Sequence, residues 1–292
     1  MSSTELIHPT LLRIEAERSV KIWFAVESGS RAWGFESTDS DYDVRFIYLS
    51  RQSDYLTVFP RRDVIENHDI RSPDPLLDFS GWDFRKFLGL VTKSNPICFE
   101  WMQSQIVYKE DKVWSQVRKL IVPFFSPKAA MHHYLSMARH NYREHMRDGT
   151  SPSVRLKKYL YIARPLLCCR WIEQDPSAGP PPMPFMDALN AARIPAAVHT
   201  ELVNLVERKK AAEELDEGPA VPCINRFFDS ELSRLAAIAD LNAIGRGRSV
   251  EPVTDRRRRS TKPALNSALT PPCTAMMTKR PSSAKHSTSR AT

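Results

Sequence analysis

The stretch Glu27-Ser-Gly-Ser-Arg-Ala-Trp-Gly-Phe-Glu-Ser-Thr-Asp-Ser-Asp-Tyr-Asp43, running on into Val44-Arg-Phe-Ile-Tyr-Leu49, constrains this chain more than any other part of it. Turn-forming residues place Asp39, Asp41 and Asp43 just before an apolar run of strand length, rich in β-branched and aromatic residues. Carboxylates this close repel one another, so a folded chain keeps them together for a reason or leaves them in water. Side chains alternate faces along a strand, so Asp41 and Asp43 project together and Tyr42 projects the other way. The two carboxylates then lie about 6–7 Å apart. Such hard oxygen donors suit Mg²⁺ or Mn²⁺, completed by substrate phosphates and water. Gly29 and Ser30 directly follow another apolar run, residues 20–26, where backbone amides and a hydroxyl can meet a phosphate unobstructed. The pieces read as one device, a loop for a triphosphate and an acid pair for its metal. A third carboxylate from a neighbouring strand would permit a two-metal site for in-line phosphoryl displacement. The plainer alternative is a solvated turn, which Asp favours in any case.

The rest of the chain supplies a scaffold for such a device. Residues 9–18 show helical spacing, 20–26 and 44–49 read as strands, 76–79 as a third short strand and 83–91 as a helix capped by Asp83 or Ser80. Ser94-Asn-Pro96 breaks that helix and another starts near Ile97. From about residue 126 the spacing turns helical throughout, at 131–147, 154–174, 198–214 and 229–244. The expected class is therefore α/β (α+β), a short mixed sheet with helices followed by an all-α region. The expected domains are 1–125, 126–247 and a tail at 248–292.

The tail decides how the charge is read. It carries ten of the 42 Lys/Arg and two of the 34 Asp/Glu, which is the whole net charge of +8, so residues 1–247 balance. With Arg256-Arg-Arg-Arg259, many Ser, Thr and Pro and no apolar periodicity, it is expected to be disordered. It can touch nucleic acid through charge alone, or serve as an inert solubilising segment. No apolar run approaches the roughly 18 residues a membrane helix needs, and the N-terminus lacks a basic-then-apolar signal pattern. The five cysteines show neither metal-ligand spacing nor an even disulfide framework. A cytoplasmic protein without a membrane partner is expected.

Several motifs, taken in order, resemble a known family. They are Gly29-Ser-Arg-Ala-Trp-Gly-Phe35, Asp39-Ser-Asp-Tyr-Asp-Val-Arg-Phe-Ile-Tyr48, Gly81-Trp-Asp-Phe-Arg-Lys86, Lys93-Ser-Asn-Pro96 with Glu100-Trp101, and Lys157-Lys-Tyr-Leu-Tyr161 with Arg164-Pro165. Together they resemble the polymerase-beta-like nucleotidyltransferase superfamily, in the branch of bacterial and phage predicted nucleotidyltransferases that includes phage RNA-ligase-associated proteins. The resemblance spans roughly residues 20 to 240. It implies metal-dependent transfer of a nucleoside monophosphate from an NTP such as ATP to a hydroxyl on an acceptor it does not identify, an RNA end, a protein side chain or a small molecule. The family's RNA-ligase association points to RNA end processing or repair. By matching residues it assigns phosphate to Gly29 and Ser30 and metal to Asp41 and Asp43. It places the third carboxylate on the third strand, which favours Asp78, with Asp83 as the alternative that can instead cap the helix. A catalytically silent nucleotide-binding regulator and a nucleic-acid adaptor working through the tail are the competing classes.

Other residues carry two readings each. Arg31 can approach the triphosphate or sit in solvent. Arg45 shares the face of Asp41 and Asp43 and either pairs with them or meets substrate. Lys93 either contacts the nucleotide or closes a helix with a favourable charge. Lys157, Tyr161 and Arg164 fall at i, i+4 and i+7 of one helix, a face for triphosphate or an RNA backbone or simply a solvated one. Glu100-Trp101 reads as a buried anchor with a paired acid. His132, His133, His140 and His145 lack acidic partners at ligand spacing and read as ordinary helix residues.

Overall fold

The computed structural model describes residues 2–146, 153–211 and 217–237. The tail at 248–292 and the end of the helix expected at 229–244 lie outside them. Among the described residues the regions expected as separate domains meet: Phe125 packs against the helical core and also against the core beneath the sheet. Phe35, from the loop after the first strand, is fully buried in the helical core.

Helix α1 (Ser3–Arg18) opens with a capping box: Ser2 N–H donates to Glu5 Oε2 at 2.8 Å. Strand β1 (Lys21–Glu27) follows, then a single turn, α2 (Gly29–Ala32), and strand β2 (Tyr42–Leu49). After α3 (Gln52–Tyr55) and the two-residue β3 (Val64–Ile65) comes β4 (Leu77–Asp83). Helices α4 (Phe84–Thr92) and α5 (Pro96–Gln103) lead to β5 (Val107–Glu110) and α6 (Trp114–Ile121). The helical region holds α7 (Pro127–His145), α8 (Leu156–Gln174), α9 (Phe185–Ala191), α10 (Ala196–Ala211) and α11 (Pro222–Ala237), with a small ribbon of β6 (Ser153–Arg155) and β7 (Glu217–Pro219). No described helix is long and apolar enough to cross a membrane.

The main sheet runs β3-β4-β2-β1-β5 and is mixed, because β2 and β4 are parallel while the other pairs are antiparallel. Its two faces are both covered. Val44, Phe46, Leu77 and Phe79 pack with Ile7, Leu11 and Ile14 of α1 on one side. Phe24, Val26 and Ile47 pack with Phe87, Phe99 and Trp114 of α4 to α6 on the other. Strand parity then assigns Asp43 and Arg45 to the face of Ile47, away from α1, with Asp41 just before the strand. The strand expected at 44–49 is present and begins two residues earlier, at Tyr42.

Helix breaks follow local rules. Asp83 caps α4, its Oδ1 accepting from Arg85 N–H at 2.9 Å, and Asn95 caps α5 ahead of Pro96. Between them Ser94 takes a left-handed φ of 51°, the conformation that ends a helix. Ser126 caps α7 and donates its N–H to Ser94 Oγ at 2.7 Å, which ties the helical region to the sheet layer.

Candidate active site

The β2–β4 register sets Asp43 beside Asp78 on adjacent parallel strands. Arg45 Nη2 donates to both, 2.6 Å to Asp43 Oδ1 and 2.8 Å to Asp78 Oδ2, while Nη1 donates to the Asp78 carbonyl at 3.0 Å. Of its two sequence readings, Arg45 takes the structural one. Burial raises the Asp43 carboxyl above its ordinary range; Arg45 opposes the shift, and Asp78 and Asp41 reinforce it. Both backbone polar groups of Asp43 are fixed. Its N–H donates to Glu27 Oε1 at 2.7 Å, and its carbonyl accepts from Ser28 N–H at 2.9 Å.

Glu27 was not singled out from sequence, yet it is fully buried beneath the acid cluster and its second oxygen accepts from Tyr108 of β5. Burial pushes its carboxyl up to about 7. A carboxyl whose folded value lies above its unfolded one stabilises the fold at low pH and loses that contribution as pH rises through the folded value. In chelator-treated protein, unfolding free energy should fall by about 3 kcal/mol between pH 4.5 and pH 7 from this group. Glu27→Gln, which keeps the acceptor for Asp43 N–H, should remove that slope in denaturation curves recorded across the range. Equal slopes in both proteins would refute the assignment.

Gly29 has a φ of +60°, a conformation that L side chains rarely adopt. A Cβ built there would stand 1.9 Å from Asp43 Oδ2, so glycine is required to make room for the carboxylate as well as for the turn. Gly29→Ala should lower unfolding free energy by about 1–3 kcal/mol, read by chemical denaturation. Wild-type stability in that variant would mean the turn relaxes freely.

Asp41 and Asp43 open with Ser30 onto a polar cleft of about 390 Å³. Ser37, Asp39 and Ser40 line it from the same loop, and Lys157, Lys158, Tyr161 and Lys209 close it from α8 and α10. The structure therefore gathers Ser30, Asp41, Asp43 and Lys157 at one place, with Gly29 beneath them. Asp78 is not among the residues that line the cleft; it stands beside Asp43, tied to Arg45. Arg31 braces the acidic loop from within: its guanidinium donates to the carbonyls of Ser40 (2.6 Å) and Asp41 (3.2 Å) and lies 3.7 Å over the Tyr42 ring.

Position chooses between the paired readings of three residues. Asp83 lies five residues beyond Asp78 on β4, on the opposite strand face by parity, and its second oxygen accepts from Ser50 and Tyr55 hydroxyls at 3.0 Å each. It is a structural cap, not a third carboxylate. Lys93 is exposed at the C-cap of α4 and is absent from the cleft lining. Arg164 does not share the cleft with Lys157 and Tyr161. It turns into the core, where Glu100 accepts from it at 2.9 Å, so Glu100 is the paired anchor expected. Lys158, Lys209, Ser37 and Ser40 were missed because nothing in a basic helix or a serine-bearing turn marks which residues face a distant loop.

The donor set fits a hard divalent cation on Asp41 and Asp43, two carboxylates at the start of β2 that line the same polar space. Among the described residues no group of three or more His, Cys, Asp and Glu side chains forms a metal cage. The Arg45 guanidinium bridges Asp43 and Asp78, so a cation shared by all three carboxylates needs that arginine to move.

Residues 4–250 match the family model of RlaP, the RNA repair pathway DNA polymerase beta family. The chain belongs to this family. It is also 44% identical over 232 residues to the uncharacterized protein YcgL of Bacillus subtilis (strain 168), covering 78% of this chain and 85% of that one. A crystal structure of a nucleotidyltransferase-like protein from Exiguobacterium sibiricum 255-15 aligns with a TM-score of 0.31 and 11% identity, over 80% of this chain and 75% of that one. Membership of RlaP makes this a nucleotidyltransferase-type protein of the polymerase-beta-like branch, as the five motifs implied.

Proposed function

We propose that this protein is a Mg²⁺- or Mn²⁺-dependent nucleotidyltransferase that moves a nucleoside monophosphate from an NTP to a hydroxyl of an RNA end. The supporting observation is that Asp41 and Asp43, at the start of β2, line a cleft that Lys157, Lys158 and Tyr161 also line. When bound to Asp41 and Asp43, the metal would neutralise triphosphate charge and align it for in-line displacement. The Ser30 hydroxyl and backbone amide, freed from side-chain crowding by Gly29, hold a phosphate oxygen. Lys157 supplies positive charge from α8. Asp78 keeps Oδ2 on Arg45, which leaves Oδ1 to accept the proton of the attacking hydroxyl. The hydroxyl oxygen bonds to the α-phosphorus and pyrophosphate leaves. The family's description favours RNA over a protein acceptor.

A second reading is a nucleotide-binding regulator without turnover, favoured by the Arg45 bridge that occupies Asp43 and Asp78. Incubation with each α-labelled NTP, Mg²⁺ or Mn²⁺, and RNA or protein acceptors separates the two. Transfer of label to RNA supports the first, metal-dependent binding without transfer supports the second, and no binding removes both.

A further inference from the structure

Lys209 of α10 is only 5% exposed, yet the hydrogen-bond acceptors of its ammonium are two hydroxyls, Ser37 Oγ at 3.3 Å and Ser40 Oγ at 3.5 Å. Among the described residues it makes no ion pair; Asp39 and Glu36 attract it only at longer range. The ammonium also lies 5.8 Å from the centroid of the Phe35 ring, and these long, neutral contacts compensate it poorly for the water it has lost. It has three donors, and these two partners leave capacity for an anion. Its environment supplies room for one, since Lys209, Ser37 and Ser40 all line the cleft that Asp41 and Asp43 open onto, together with Lys157 and Lys158. The cleft is thus polarised, carboxylates on the loop and three ammonium-bearing side chains from the helices. Ser37 N–H and Oγ also meet Ser40 Oγ, at 2.9 and 3.0 Å, so the hydroxyls are pre-set rather than loose.

We propose that Lys209, with the Ser37 and Ser40 hydroxyls, forms a subsite for the distal phosphates of the nucleotide and so discriminates triphosphates from monophosphates. The inference rests on the nucleotidyltransferase reading above and extends it to α10, far along the chain from the acid motif. The α-phosphate belongs at the acid pair, where the chemistry is; the polyphosphate tail then runs toward the lysines. Occupation of the subsite also couples α10 to the turn that carries Asp39 and Asp41, since Ser40 directly precedes Asp41. Lys209 is a positioning and specificity residue in this scheme, remote from the bond that breaks.

The test uses the full chain with ATP, AMP and inorganic tripolyphosphate as probes, affinities read by calorimetry in the presence of Mg²⁺. Lys209→Met should weaken ATP and tripolyphosphate by at least about tenfold, the loss of a charge-assisted hydrogen bond, and leave AMP unchanged. Ser37→Ala/Ser40→Ala should weaken tripolyphosphate in the same direction. Unchanged ATP and tripolyphosphate binding in Lys209→Met overturns the subsite while the nucleotidyltransferase reading stands. If wild-type protein binds neither ATP nor AMP, that earlier reading fails and the subsite with it. Should Lys209→Met melt well below wild type, Lys209→Arg with the serine double variant decides: retained tripolyphosphate binding in the first and loss in the second supports the subsite, and equal binding in both overturns it.

Discussion

Asp41→Ala/Asp43→Ala should lose nucleotide transfer by roughly a thousandfold or more while remaining as stable as wild type to within about 1 kcal/mol. The loss follows from removing the acid pair that the reading assigns to the metal, worth several kcal/mol of charge stabilisation in the transition state. The preserved stability follows from the local electrostatics. Asp43 is held in an unfavourable state, raised by burial and by the neighbouring Asp78 and Asp41 carboxylates. Removing it relieves that repulsion, and Arg45 keeps a partner because its 2.8 Å contact with Asp78 survives. A group that works against folding and in favour of chemistry is the pattern expected of a functional site. Transfer rates and urea denaturation curves on the same samples decide the matter. A variant that is both inactive and grossly unstable would make the acid pair structural, and one that still transfers would remove it from the chemistry.

The acid motif was readable because each part has a local cause. The apolar run from Val44 marked strand β2, and alternation sets Asp43 and Arg45 apart from Val44 and Phe46, which pack with α1. Helices with clear spacing, such as α4 and α8, were readable for the same reason, and the Asp83 cap of α4 lay within one residue of its expected place. Short edge elements were not. Strand β3 has only two residues, and β5 (Val-Tyr-Lys-Glu) is half exposed with no apolar run, so neither carries enough periodicity to stand out. Long-range pairings were also out of reach. Nothing in Lys157-Lys-Tyr-Leu-Tyr161 says that Tyr161 turns toward the cleft while Arg164, less than one turn further, meets Glu100 in the core. The role of Gly29 was half legible: a turn was expected, but the clash its Cβ would make with Asp43 depends on a contact made only in the fold.

Arg164→Met should produce the largest loss of stability of any single change in the helical layer, about 3–5 kcal/mol. Arg164 and Glu100 are each 3% exposed. Glu100 Oε1 accepts from Arg164 Nη1 at 2.9 Å and from the Tyr134 hydroxyl at 2.8 Å, and Arg164 Nη2 reaches the Met183 carbonyl at 3.4 Å. The guanidinium also lies 4.6 Å over the ring of Trp33, three residues after Ser30, so the pair anchors the segment that follows Gly29 and Ser30. Removing the arginine leaves a buried carboxylate with a tyrosine as its remaining hydrogen-bond donor, which is the expensive half of a broken ion pair. For a unit of this size the corresponding drop in melting temperature is about 10 °C. Replacing both partners, Glu100→Leu with Arg164→Met, removes the stranded charge and should recover most of the loss, because a buried pair contributes little net over a well-packed apolar substitute. The recovery separates charge from shape. If Arg164→Met alone stays within about 1 kcal/mol of wild type, Glu100 has another way to meet its charge. If the double variant is no better than the single one, the Trp33 contact and the filled volume matter more than the ion pair.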